Sequence, residues 1–298
     1  MNLGLISAMP TFFTLNNEID YKNMHKMCEM QINAGIKSIL IGGSTGELLS
    51  LKEEEYLNLL KYIVDNFSNK INIIGCVPPI FSNSNEEIIK KILDIGINKV
   101  LCATPAYLKP NQTCIFEYFS KIAEKIKVIL YSVPSRTGAD ISVDNICKLS
   151  HNNNIVGFKD AGSDIIRVSK IKQYLLKHNQ KLELFSGNDV SYLGFCAQGG
   201  DGIISVVSNL LPKMMVKIQK SIEQNNFILA AKDFFAIFDV MQALEYDTNP
   251  IAIKYLMHKI YIEQDLNPMC RPPLQYIQND IKEYIKQNNI LDLVHKFI

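Results

Sequence analysis

KVILYSVPSRTGADISVDNICKLSHNNNIVGFKD, residues 127–160, sets two short apolar runs, 127–132 and 155–160, on either side of a segment with helical character. Both runs are rich in valine and isoleucine and lack strict alternation with polar residues, the pattern of parallel strands covered on both faces. Strand, helix and strand in that order form one β–α–β unit. The same alternation continues outward in both directions. GLISA from Gly4, SILIGG from Ser38, INIIGCV from Ile71 and KVLCAT from Lys99 precede the unit, and LELFSG from Leu182 and GIISVV from Gly202 follow it, making eight strand-like runs. Ser50 with Glu53, Ser84 with Glu87, and Asp164 ahead of IIRVSKIKQYLL supply helix-start signals.

Eight strand–helix units fit a closed (β/α)8 TIM barrel better than a doubly wound, Rossmann-like sheet, and 298 residues suit one such domain. The barrel is expected over residues 1–222. Beyond it, FILAAKDFFAIFDVMQALEY, PIAIKYLMHKIYI and IKEYIKQNNILDLVHKFI read as helices, so 223–298 is expected to form a C-terminal helical segment packed on the barrel.

Composition narrows the function classes. Lys plus Arg number 31 against 30 Asp plus Glu, spread along the chain, which argues against a nucleic-acid partner. MNLGLISAMPTFF has no basic region before its apolar stretch, and no run of about 18 apolar residues occurs. A cytoplasmic protein without a membrane partner is expected. The seven cysteines are widely spaced with no CxxC pair, and the five histidines stand singly, so neither a disulfide frame nor a metal centre is expected.

Active sites of such barrels sit at the C-terminal ends of the strands. Lys159 ends the apolar run IVGFK, and burial disfavours an ammonium there. A neutral lysine amine attacks carbonyls and gives an imine that serves as an electron sink. Pairing with the adjacent Asp160 is the bland alternative. Tyr131 at the end of the fifth run, Tyr107 in TPAY and Ser44 in GGSTGE offer hydroxyls for a proton relay. GGSTGE, with Thr45 and Glu47, presents backbone N–H groups ahead of a helix, which suits a carboxylate or phosphate. It is neither a Walker motif nor GxGxxG. Arg136, between Pro134 and Gly138, could clamp a carboxylate through its guanidinium fork or simply face solvent.

Taken together, GGSTGE (42–47), TPAY (104–107), YSVPSRTG (131–138), GFKDAG (157–162), SGND (186–189), GGDGIISV (199–206) and NPIAIK (249–254) resemble the dihydrodipicolinate synthase and N-acetylneuraminate lyase family of class I pyruvate aldolases, nearly end to end. The resemblance implies that Lys159 forms the pyruvate imine, with no other cofactor, and that Tyr131 is the acid–base group. It implies that Ser44 and Tyr107 complete the relay, Tyr107 reaching a neighbouring subunit's site. Thr45 would hold the pyruvate carboxylate, and Gly187 and Ile204 would line the pocket with backbone. A homotetramer built from dimers is implied. The arginine at 136 is the synthase spelling, which binds the carboxylate of aspartate semialdehyde, whereas Ser44 is the lyase-like spelling. The expected reaction is condensation of pyruvate with L-aspartate 4-semialdehyde. A sugar-acid aldolase of the same chemistry and a non-catalytic ligand-binding barrel are the alternatives. Tyr56 and Ala106 stand where many synthases carry a histidine and a tyrosine of the lysine-feedback site, and CVPPIFSNSNEE (76–87) departs from the usual small-residue loop, so weak or absent feedback inhibition by lysine is expected.

Overall fold

The structure, a computed structural model, describes residues 4–79, 84–262, 270–274 and 276–298. The strands are β1 (Leu5–Ala8), β2 (Ser38–Leu40), β3 (Asn72–Val77), β4 (Lys99–Ala103), β5 (Lys127–Ser132), β6 (Ile155–Asp160), β7 (Glu183–Ser186) and β8 (Gly202–Ser205). They close into a barrel in the order β1 to β8, with parallel pairing in every recorded register. Each of the eight expected runs holds a strand: β5 and β6 fill theirs, and the other six are shorter than the run by one to three residues.

The helices are α1 (Tyr21–Ala34), α2 (Glu53–Phe67), α3 (Ser84–Asp94), α4 (Gln112–Ala123), the single turn α5 (Pro134–Thr137), α6 (Val143–Leu149), α7 (Ile166–Lys177), α8 (Tyr192–Ala197), α9 (Pro212–Glu223), α10 (Phe227–Ala236), α11 (Phe238–Glu245), α12 (Ile251–Met257), α13 (Asn279–Gln287) and α14 (Ile290–His295). Among the described residues none is long and apolar enough to cross a membrane. Part of the loop 76–87, at 80–83, and the side chain of Ser84 lie outside the described residues, as do residues 1–3 of the N-terminal stretch.

Two compact units can be drawn. One comprises Ile73–Ile204 with the N-terminal segment ending at Gly4. Here β4, β5 and β6 are almost wholly buried, with Ile129, Leu130, Cys102 and Val100 fully inaccessible. Gly202 has to be glycine, because a Cβ there would lie 1.8 Å from the Gly4 carbonyl oxygen. The backbone N–H of Ile203 donates to that same oxygen at 2.8 Å.

The other unit comprises Leu5–Asn72 and Ser205–Ile298. Its core includes Phe12, Met24, Met27, Tyr56, Leu59 and Ile63, the last three from the apolar face of α2. The expected start of α2 at Ser50 moves to Lys52, whose backbone N–H donates to Glu55 at 2.8 Å. Asp164 does act at the start of α7, accepting from the Ile166 N–H at 3.0 Å. The long periodic stretches of the C-terminal third are each interrupted. Ile237, with φ −120°, separates α10 from α11, and Asn289, with φ 50°, separates α13 from α14. Apolar spacing reports which face is buried, and it carries across a break that leaves that face in line.

Candidate active site

The geometry begins with a flaw in the β5–β6 ladder. Val128 pairs with Ile155, but the register shifts after it, so Ile129 pairs with Gly157 and Tyr131 with Lys159. Without the shift Tyr131 would stand opposite Phe158, and since successive side chains alternate between faces, Lys159 would point away from it. With it, both side chains share one face. The Lys159 Nζ lies 4.5 Å from the centroid of the Tyr131 ring, a cation–π contact. Both residues are buried, at 6% and 7% exposure.

Two neighbours on that face shape the space. Phe185 pairs with Lys159 from β7, and its ring lies 2.9 Å from where a Cβ on Gly157 would stand. The glycine in GFKD therefore makes room for an aromatic wall. Burial pushes the Cys76 thiol up, and the Lys159 charge acts on it in the opposite sense. Lys159 thus has the Tyr131 ring at its Nζ, Phe185 as its partner on β7 and Cys76 within electrostatic reach. Asp160, the alternative partner, faces the other way and pairs with Arg167 at 3.5 Å.

Arg136 is exposed in the single turn α5, which Pro134 opens and Gly138 (φ 73°) closes. Gly187 donates its N–H to the Asp160 carbonyl at 2.6 Å, and a Cβ on it would clash with Ala161 at 2.8 Å. Ile204 is buried in β8. Tyr107 is not gathered with Lys159 and Tyr131 into a buried cluster. It is 92% exposed, with φ 70°, a costly conformation for a bulky residue, and its N–H donates to the Thr137 carbonyl at 3.1 Å.

Ser44 and Thr45 lie after β2 in a tight loop. Gly42 takes φ 80° beneath the Tyr56 ring, which leaves no space for a Cβ, and a Cβ on Gly46 would meet the Gly42 nitrogen at 2.9 Å. Ser44 is half-buried and Thr45 buried, its Oγ1 accepting from Asn249 Nδ2 at 2.9 Å. A single turn, Leu48–Ser50, follows GGSTGE, and α2 begins at Glu53. Glu47, with φ 54°, is committed elsewhere. Its carboxylate pairs with Lys254 at 2.7 Å, both side chains fully buried, and accepts from the Arg271 backbone N–H at 2.8 Å. Lys254 and Arg271 flank the Phe13 ring at 4.3 and 4.4 Å.

Sequence reasoning did not single out Lys254, Arg271, Asp140 or Arg167. Lys254, Asp140 and Arg167 stood in quoted stretches, but the partners that fix Lys254 and Arg271 are more than 200 residues away and Asp140 lies 27 residues from Arg167.

Comparison with known proteins places the chain in a family. The model of the dihydrodipicolinate synthetase family matches residues 1–290. The 4-hydroxy-tetrahydrodipicolinate synthase of Rickettsia bellii is 38% identical over 262 residues, 86% of each chain. That of Coxiella burnetii is 32% identical over 290 residues, 96% of this chain and 98% of the relative. The crystal structure of chloride-inhibited dihydrodipicolinate synthase from Acinetobacter baumannii complexed with pyruvate matches with a TM-score of 0.90 at 29% identity, covering 100% of both chains. By fold, by motif and by extent of match, the chain belongs to the dihydrodipicolinate synthetase family.

Proposed function

We propose that the chain is a 4-hydroxy-tetrahydrodipicolinate synthase, a class I lyase that condenses pyruvate with L-aspartate 4-semialdehyde on the route to diaminopimelate and lysine. The observation that carries the reading is the buried Lys159 side chain set against the Tyr131 ring, in a chain that matches this family over residues 1–290. The Lys159 amine adds to the pyruvate ketone, the carbinolamine loses water, and the imine draws off a methyl proton to give an enamine. The enamine carbon then bonds to the aldehyde carbon, whose oxygen takes up a proton, and the amino group of the semialdehyde attacks the imine carbon, closing the ring and releasing the Lys159 amine. The Tyr131 hydroxyl moves these protons, with Ser44 and Tyr107 as its relay. Thr45 holds the pyruvate carboxylate, Gly187 and Ile204 line the pocket, and Arg136 takes the carboxylate of the semialdehyde. The imine replaces any cofactor.

The exposed, strained Tyr107 supports an assembly in which that tyrosine enters a neighbouring subunit's site, and a homotetramer of dimers is the proposed state. A cytoplasmic location goes with a biosynthetic enzyme of this class. The division into a barrel over 1–222 and a helical segment over 223–298 is kept as a proposal, supported by the run of helices that follows β8. A substrate panel tests the reading. Turnover of pyruvate with aspartate semialdehyde, and none of N-acetylneuraminate or 2-keto-3-deoxy sugar acids, is expected; cleavage of a sugar acid in preference would overturn it.

A further inference from the structure

Tyr131 and Lys159 face one side of the sheet, so the residues that follow them, Ser132 and Asp160, face the other. These two are themselves paired across β5 and β6. Ser132 is inaccessible and Asp160 is 6% exposed, so each needs a buried polar partner. Arg167 faces Asp160 directly and reaches Ser132 through Asp140. Arg167, at the start of α7 and 5% exposed, sends Nη1 to the two carboxylate oxygens of Asp140 at 2.8 Å each, and Nη2 to the Ile141 carbonyl at 2.7 Å. Its Nε stands 3.5 Å from Asp160 Oδ2, an ion-pair distance rather than a hydrogen bond. Ser132 Oγ donates to the same Asp140 oxygen that Arg167 holds. The guanidinium also lies 5.0 Å above the Phe158 ring.

The network reaches further along both ends. Asp160 Oδ1 accepts from the Gly162 N–H at 2.9 Å, the Ala161 N–H donates to the Ser132 carbonyl at 2.9 Å, and the Asp160 carbonyl accepts from Gly187. Asp140 lies four residues after Arg136, on the segment that leaves α5. One guanidinium therefore ties together the end of β5, the end of β6 and the chain leaving the Arg136 turn.

We propose that Arg167 is a positioning residue for the reaction: acting through Asp140 and Asp160, it fixes the register at which Tyr131 and Lys159 meet. The inference rests on the reading of Lys159 as the imine-forming residue. Its physical basis is the ladder shift between Val128 and Ile129. A pair of strands with an irregular register has a competing register one residue away, in which Lys159 would leave the face shared with Tyr131. A buried ion pair adds little net stability over apolar packing of the same shape, but it is satisfied in only one register. Lysine cannot substitute, because its single nitrogen cannot hold the Asp140 carboxylate, the Ile141 carbonyl and Asp160 at once, as the three guanidinium nitrogens do.

The test uses the full chain with Arg167→Lys and, independently, Asp140→Asn, an acid whose side chain is 49% exposed, so that its loss disturbs little packing. Melting temperature, kcat, KM for pyruvate and the rate of pyruvate-imine trapping at Lys159 are measured well below the melting transition. Expected is a fall in kcat and in trapping rate on the order of 10- to 100-fold in Arg167→Lys, the cost of misplacing reacting groups by about 1 Å. KM for pyruvate should change little and the protein should remain folded. Asp140→Asn should show the same signature, smaller. Wild-type kcat and trapping rate in both folded variants would overturn the positioning role while leaving the Schiff-base reading intact. Absence of an adduct in the wild type would overturn both.

Discussion

The Nζ of Lys159 sits 4.5 Å from the centre of the Tyr131 ring because a one-residue ladder shift sets the two residues opposite each other. Proximity to the ring and access to its hydroxyl are separable. Tyr131→Phe keeps the ring and removes the proton-transfer group, so kcat should fall by about 10²- to 10⁴-fold while the fold stays intact. Circular dichroism and steady-state kinetics on the same preparation check this. A variant with near-normal kcat would remove Tyr131 from the proton transfers.

Arg136 should govern the second substrate and not the first. Replacing it by lysine keeps the charge but loses the two-pronged grip on a carboxylate, a difference of about 1.5–3 kcal/mol for a charged hydrogen bond. KM for aspartate semialdehyde should rise roughly tenfold or more while pyruvate-imine formation is unchanged. An equal effect on both substrates would place Arg136 in a general structural role.

The fully buried Glu47–Lys254 pair beneath the GGSTGE loop is costly to break from one side. Lys254→Met should destabilise by about 3–5 kcal/mol, since it strands a buried carboxylate. Adding Glu47→Leu should recover part of that loss, though the Arg271 N–H then lacks its acceptor. Urea unfolding of the two single variants and the double variant measures the coupling; additive losses would mean the pair is not the unit described.

Acid stability should carry the mark of Glu55. Arg271 donates to both its oxygens, at 2.8 and 2.6 Å, and these hydrogen bonds chiefly lower its carboxyl to about 2 from 4.5. A depressed carboxyl contributes stability above its unfolded value, and the contribution is lost as pH falls from about 4.5 through about 2. Glu55→Gln should therefore be less stable at neutral pH and lose less on acidification, the two stability curves drawing together near pH 2. Parallel curves between pH 6 and 3 would contradict the assignment.

Lysine is expected to have little effect on turnover. Tyr56, at a position where the resemblance calls for a histidine in many synthases, is 1% exposed and packed over Gly42, so it is a core residue rather than a ligand contact. Turnover titrated with lysine into the millimolar range should stay near its starting rate, and strong inhibition would overturn this.

The barrel was legible because its strands are buried on both faces: runs such as KVILYS and IVGFKD have no other way to satisfy their valines and isoleucines. The placement of Lys159 at a strand end followed from the same runs. The ladder shift at Val128 went unread although Gly157, a glycine inside the sixth run and at the shift itself, is the residue type that marks such a bulge. Arg167 was not legible, since its partners stand 27 residues away at Asp140 and across a turn at Asp160. Glu47, which ends GGSTGE, turns inward to Lys254, a partner 207 residues away that nothing in the motif announces. The breaks at Ile237 and Asn289 escaped because the apolar face continues across them.

The most direct measurement is borohydride reduction of the protein in the presence of pyruvate, followed by peptide mass mapping, with aspartate semialdehyde turnover assayed on the same preparation. A single reduced pyruvyl adduct on the peptide containing Lys159, absent from Lys159→Ala, together with turnover, is the expected result. No adduct, or an adduct on another lysine, would contradict the Schiff-base role of Lys159 and leave only the barrel.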